Sequence, residues 1–153
     1  MGRIAAIALL GTLFVGVSAF AADAVVGSWK LNVAMSKFSG PAPKSVTRVY
    51  AETADGTNLE QKTVGADGKE MSMHVTIKYD GKDDPVTGNP DADTVAGKAL
   101  DAHTTHFTMK KGGKVVGTVH RVLSADGKTL TVNNKGKHAD GKPYDDTLVF
   151  DKQ

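Results

Sequence analysis

Arg121 raises the sharpest chemical question in this chain. It lies in the segment Lys114-Val115-Val116-Gly117-Thr118-Val119-His120-Arg121-Val122-Leu123. Strand alternation puts Val115, Gly117, Val119, Arg121 and Leu123 on one face. If that face is interior, a guanidinium enters an apolar space and must be compensated for its lost water. A ligand carboxylate gripped by paired N–H donors would compensate it. If the face is exterior, Arg121 is simply solvated. A second set, Met71, Met73, Val75, Ile77 and Tyr79, also shares a strand face. Methionine is flexible and polarizable, so this face suits the wall of an adaptable apolar pocket. It equally suits the filled core of a small barrel. Val119, Leu130 and Phe150 complete the candidate pocket, with Arg121 as its polar anchor.

Other reactive residue types form no convergent pattern. The five histidines are His74, His103, His106, His120 and His138. His103 and His106 fall on opposite faces of a strand. No His-x-His pair and no cysteine accompanies them, so no zinc-type site is expected. Asp80, Asp83, Asp84, Asn89, Asp91 and Asp93 form an acidic stretch. It lacks the regular oxygen spacing and closing Glu of a calcium loop, and reads as polar turns whose side chains bond their own backbone. There is no Gly-x-Ser-x-Gly elbow, and spacing assigns no nucleophile. The expectation is a protein that is not an enzyme, with no cofactor and no metal.

The elements that must position these residues are strands. Five Asp-Gly pairs punctuate the chain, at Asp55-Gly56, Asp67-Gly68, Asp80-Gly81, Asp126-Gly127 and Asp140-Gly141, and Gly112-Gly113 adds a site of the same kind. Such pairs supply the positive φ that tight hairpins require. Between them lie β-prone segments over 27–33, 44–53, 57–64, 69–79, 93–100, 104–110, 114–123, 128–134 and 144–151. Ala34 to Phe38 reads as a short helical turn, and Asp80 to Pro90 as a long connection rich in Pro, Gly and Asp. About nine sequential hairpin strands would leave an open sheet with two edges and a bare face. Closure into an up-and-down antiparallel barrel of about eight to ten strands removes both problems.

Met1-Gly2-Arg3, the apolar run Ile4 to Val17 and the small-residue ending Ser18-Ala19-Phe20-Ala21 have the form of a secretory signal peptide. The expected organisation is a signal peptide over 1–21 and one barrel domain over 22–153. With no cysteine to carry a lipid, the expected destination is the periplasm or the medium, without stable membrane insertion after cleavage. The formal net charge is +2 and aromatics make up 6%. A scattered, near-neutral charge with few stacking platforms argues against nucleic-acid binding.

Gly27-Ser28-Trp29-Lys30-Leu31 resembles the Gly-x-Trp opening strand of the calycins, the superfamily of lipocalins and fatty-acid-binding proteins. Lys114 to Leu123 followed by Asp126 to Val132 is similar to a hairpin near the end of fatty-acid-binding proteins, and Thr147 to Lys152 to their last strand. Tyr79 to Pro90 resembles a stretch of exported bacterial proteins with lipocalin-like barrels. The resemblance implies a calycin-like barrel holding a small hydrophobic or amphipathic, fatty-acid-like ligand. It implies a carboxylate-binding role for Arg121 or, as in lipocalins, a barrel-closing one with Arg121 packed across Trp29. The sequence departs from the pattern in two places. Ala34 to Pro43 is too short for a two-helix lid, and Leu148 and Phe150 stand where the family's last strand carries an Arg-x-Tyr pair. The alternative expectation is a structural or interaction module of the bacterial envelope with a solid core and no ligand. A monomer is expected in either case.

Overall fold

The computed structural model describes residues 23–153, and the expected leader lies outside them. Ten strands run in chain order: β1 (Gly27–Leu31), β2 (Ser45–Thr53), β3 (Gly56–Val64), β4 (Glu70–Ile77), β5 (Asp80–Thr87), β6 (Thr94–Ala99), β7 (Thr104–Lys111), β8 (Lys114–Leu123), β9 (Thr129–Lys137) and β10 (Pro143–Lys152). Each pairs antiparallel with the next, and β1 pairs with β10, so the sheet closes into a barrel. This is the all-β, up-and-down architecture that the alternation and turn spacing demand. The helical turn is a 3₁₀ turn, Val33–Met35, capped by the Asn32 side chain, which accepts from Met35 N at 3.2 Å.

The expectation fails over Asp80 to Pro90. Most of that stretch, Asp80–Thr87, is strand β5, and only its last residues belong to a connection. Gly81 does take a positive φ of 75°, but it lies between Asp80 and Asp83, where the β5–β6 register shifts. It therefore serves a bulge, while the β4–β5 corner is made by Lys78 and Tyr79. Tyr79 adopts φ 57°, a left-handed conformation costly for a residue with a Cβ. Asp55-Gly56 departs too. Gly56 is needed for space, because a Cβ there would sit 2.0 Å from the Ile77 carbonyl oxygen.

Alternation sorts the barrel into an outer polar face and an inner apolar one. The end where β1 begins is packed solid. Trp29, Leu31, Leu123, Leu130 and Phe150 are buried there, and Trp29 Nε1 donates to the Val25 carbonyl at 2.8 Å. These residues form a floor. The weakest part of the wall lies between β4 and β5, which pair only at His74–Thr87 and Val75–Val86. Buried Asp84 fills part of this seam and accepts from Lys78 N at 3.0 Å. A side chain thus supplies a bond that the ladder does not. Pro85 is tolerated in β5 for the same reason. Val86 N bonds toward β6, to Asp93 O, so alternation turns the donorless Pro85 nitrogen toward the seam.

Candidate functional site

Above the floor the barrel interior opens into a cavity of about 230 Å³. Its walls come from inward positions on most of the strands. Val75 and Ile77 stand on β4, Phe107 on β7, Val119 on β8 and Val132 on β9, with Met73, Val86 and Met109 nearer the mouth. Gly97 faces the same interior. A Cβ there would lie 2.9 Å from Ile77 Cγ2 and 3.0 Å from Phe107 Cε1, so this glycine leaves the room into which the Phe107 ring extends.

β8 turns its Gly117, Val119, Arg121 and Leu123 face inward. Arg121 is only 2% exposed, and its guanidinium is largely committed. Its Nη2 group donates to Asp23 Oδ2 at 3.3 Å, Tyr79 Oη at 3.1 Å and Thr105 Oγ1 at 3.1 Å. Asp23 Oδ2 also accepts from Thr57 Oγ1 at 3.1 Å and from the Tyr79 hydroxyl. The segment preceding β1 is thereby tied into the barrel wall. Burial would by itself lower the Arg121 pKa, but the surrounding Tyr50 and Tyr79 hydroxyls and Asp23 carboxylate outweigh it and raise the value. The Tyr79 phenol is pushed up to about 12, chiefly by burial, with the Asp23 carboxylate adding to the effect and Arg121 opposing it. Arg121 Nη1 is buried without a partner, and Arg121 lines the cavity.

A second guanidinium enters the same space. In β2, Val46, Arg48 and Tyr50 point inward. Arg48 is 7% exposed and lies over the Phe150 ring at 4.6 Å from its centroid, on the upper surface of the floor. Its Nε donates to Gln61 Oε1 at 2.7 Å and its Nη1 to Tyr50 Oη at 3.3 Å. Both partners are neutral. Sequence reasoning missed Arg48, although the alternation of β2 carries the same signal that singled out Arg121.

The mouth is crossed by one connection. Asp91, between β5 and β6, meets His138, between β9 and β10, with Oδ2 to Nδ1 at 2.8 Å, and its Oδ1 accepts from Ala139 N at 2.7 Å. Asp146 accepts from Ser39 N at 2.7 Å and Ser39 Oγ at 2.6 Å. Tyr144 packs against His138 with ring centroids 4.7 Å apart. Burial, then the Asp91 and Asp146 carboxylates, push its phenol pKa up.

Of the residues singled out by sequence, Arg121, Met73, Val75, Ile77 and Val119 line the cavity. The others do not. Met71 follows the inward alternation but sits at the rim, 50% exposed, because β4 runs past the end of the enclosed space. Leu130 and Phe150 are wholly buried in the floor, on the apolar side that the cavity does not reach. Tyr79 lies at a corner and turns its hydroxyl to Asp23 and Arg121. The barrel-closing pairing of Trp29 with Arg121 is not formed. The cation over Trp29 is Lys152, 5.6 Å from the ring centroid, while Arg121 faces Phe107, Tyr50 and Tyr79 at 5.2, 5.3 and 5.7 Å. The histidines gather no metal site, and among the described residues no cluster of three His, Cys, Asp or Glu side chains could hold an ion.

No family model and no curated protein matches the chain. Among solved structures it is similar to zebrafish ileal bile acid-binding protein complexed with cholic acid, at 9% identity and a TM-score of 0.47, covering 85% of this chain and 99% of the other. It is also similar to the siderocalin Ex-FABP, described as functioning through dual ligand specificities, at 10% identity and a TM-score of 0.38, covering 85% of this chain and 74% of the other. Likeness at this level says nothing of what this interior holds.

Proposed function

We propose that this chain is an exported, non-catalytic β-barrel, monomeric in the periplasm or medium, that holds a small amphipathic, fatty-acid-like molecule in its interior. The observation that carries this reading is the cavity of about 230 Å³ above a solid floor. Its volume exceeds the ~150 Å³ that suffices for benzene and falls below the ~300 Å³ at which drug-sized sites begin. A compact amphiphile suits it, with any longer tail reaching into the mouth between Met73, Val86 and Met109. Apolar wall residues such as Val75, Ile77, Phe107 and Val119 offer a surface for the apolar part, and polar side chains, among them Arg48, Arg121, Asp91 and His138, share the lining. The envelope module with a wholly solid core draws support from the floor alone.

Methyl NMR of the full chain during titration with saturated fatty acids of about six to twelve carbons tests the reading. Saturable shifts are expected at Val75, Val119 and Met73, and Val119→Trp is expected to abolish them by filling the space. Absence of saturable shifts across the series, in a protein with an intact barrel spectrum, refutes it.

A further inference from the structure

We propose that residues 89–92 form a flap across the cavity mouth, and that the contact of Asp91 with His138 is the clasp that sets how fast the interior exchanges with solvent. The inference concerns access to the cavity and holds whatever molecule occupies it.

The flap is pinned at its ends and tied lightly between them. At one end Gly88 takes a φ of 75°. It lies so close to β4 that a Cβ would fall 1.8 Å from the Ser72 carbonyl oxygen. At the other end, Val86 N donates to Asp93 O, Asp93 N to Lys110 O and Gly112 N to Asp93 Oδ2, each at 2.9 Å. Between these points Asn89, Asp91 and Ala92 line the cavity. Asn89 Oδ1 accepts from Asp91 N at 2.9 Å, inside the flap itself. Among the described residues, its bonds to the rest of the barrel are three. Asn89 Nδ2 reaches Met73 Sδ at 3.8 Å, a weak contact. The Asp91 carboxylate makes the other two, to His138 Nδ1 at 2.8 Å and Ala139 N at 2.7 Å. Ala92 is the flap's one buried side chain, and a single methyl gives little hydrophobic hold. The Asp91 carboxylate therefore supplies most of the restraint.

The group that receives it is fixed. His138 stands in the β9–β10 turn, where its N donates to Lys142 O at 2.9 Å and its O accepts from Gly141 N at 2.8 Å. Its ring rests against Tyr144. The Tyr144 side chain reaches across Gly136 and Gly117, where added Cβ atoms would fall 2.8 and 2.9 Å from its hydroxyl. These glycines let the ring lie against the wall as a backing for His138. The His138 arm is thus a post and the flap is the moving part. The His138 and Asp91 side chains stay 49% and 20% exposed, so water takes over their bonds at modest cost. A clasp of this kind opens and recloses locally rather than sealing the barrel.

The chain has no cysteine, so Val119→Cys places a sole thiol on the cavity wall. Its rate of reaction with methyl methanethiosulfonate, in the full chain, measures how often the mouth opens. Asp91→Ala and His138→Ala, each in that background, are expected to raise the rate at least about threefold. Together they are expected to stay within about twofold of Asp91→Ala alone, because they are halves of one clasp. Asp140→Asn is expected to leave the rate unchanged, since that carboxylate bonds only inside the β9–β10 turn. Acrylamide quenching of Trp29, buried in the floor, is expected to stay the same in every variant. A rise below about threefold in either single variant, or a double variant beyond about twofold of Asp91→Ala, overturns the proposal. An equal rise in Asp140→Asn, or Trp29 quenching that rises with the thiol rate, shows general loosening and overturns it too. So does a thiol that reacts as fast without the clasp substitutions as in the urea-unfolded chain.

Discussion

Replacing Asp23 by Asn tests how firmly the segment before β1 is bound to the barrel. The carboxylate lies 3.3 Å from the Arg121 guanidinium, whose side chain is 3% exposed. At an effective dielectric constant of ~20, unit charges at that distance attract by about 5 kcal/mol. Asp23 keeps some contact with solvent, and Asn retains an oxygen to accept from Thr57 or Tyr79. Removing one partner of a buried pair costs ~3–5 kcal/mol, so the lower end, about 3 kcal/mol, is expected here. With a urea slope of ~2 kcal/mol/M, the midpoint falls by about 1.5 M. Asp67→Asn is the matched control. Its pair with Lys69 is 3.7 Å long but largely exposed, and its loss should cost under about 0.5 kcal/mol. A double-mutant cycle with Arg121→Met should show a coupling of at least ~2 kcal/mol. An Asp23→Asn change below about 1 kcal/mol, or no coupling to Arg121, would refute the idea that a desolvated pair fastens this segment.

Alkaline pH probes the same network from the other side. The Tyr79 phenol has its folded pKa raised to about 12, so the unfolded chain loses that proton first. Its effect is nil below pH ~10 and grows to a loss of about 2.7 kcal/mol as pH passes through ~12. Urea midpoints of the native protein and Tyr79→Phe at pH 9 and pH 11.5 should show a steeper fall in the native protein, and parallel falls would contradict the assignment. At the β4–β5 seam, Asp84→Ala leaves the Lys78 amide without its acceptor and should cost ~1–3 kcal/mol. Hydrogen exchange should accelerate first at Lys78 and in β4 and β5, and a change spread evenly over the barrel would contradict the seam's special role.

Much of the scaffold is legible in the sequence because a strand's period of two shows in every segment that has one wet and one dry face. Met73, Val75 and Ile77 against His74 and Thr76 is such a case. β5 escapes detection because its outward residues are Asp and Lys, its inward ones include Asp84, and it contains Pro85. Only the seam beside it makes those residues acceptable in a strand. The β4–β5 corner escapes for a related reason. Its left-handed residue is a tyrosine, held by hydroxyl bonds to residues distant in the chain, and local propensity carries no trace of them. Alternation identifies inward residues but not depth, so Met71 and Phe150 look equivalent to Met73 and Val119 although one is at the rim and the other in the floor. The last strand lacks an Arg-x-Tyr pair, yet that spacing occurs in β2 as Arg48-Val49-Tyr50, on a strand whose interior face alternation already defines.

The β4–β5 seam also bears on how this protein would aggregate. A closed barrel offers no free strand edge to another molecule, which is the usual protection of all-β proteins. Because the ladder is shortest between β4 and β5, with two paired positions, the ring has a preferred point of rupture. Opening there converts a cylinder into a curled ten-stranded sheet and creates two complementary edges at once, β4 on one side and β5 on the other. Two such molecules could exchange edges and close as an intertwined pair. The charges of Asp80, Lys82 and Asp83 along β5, with Pro85 among them, are residues that discourage strand addition. They stand where an opened barrel would need them.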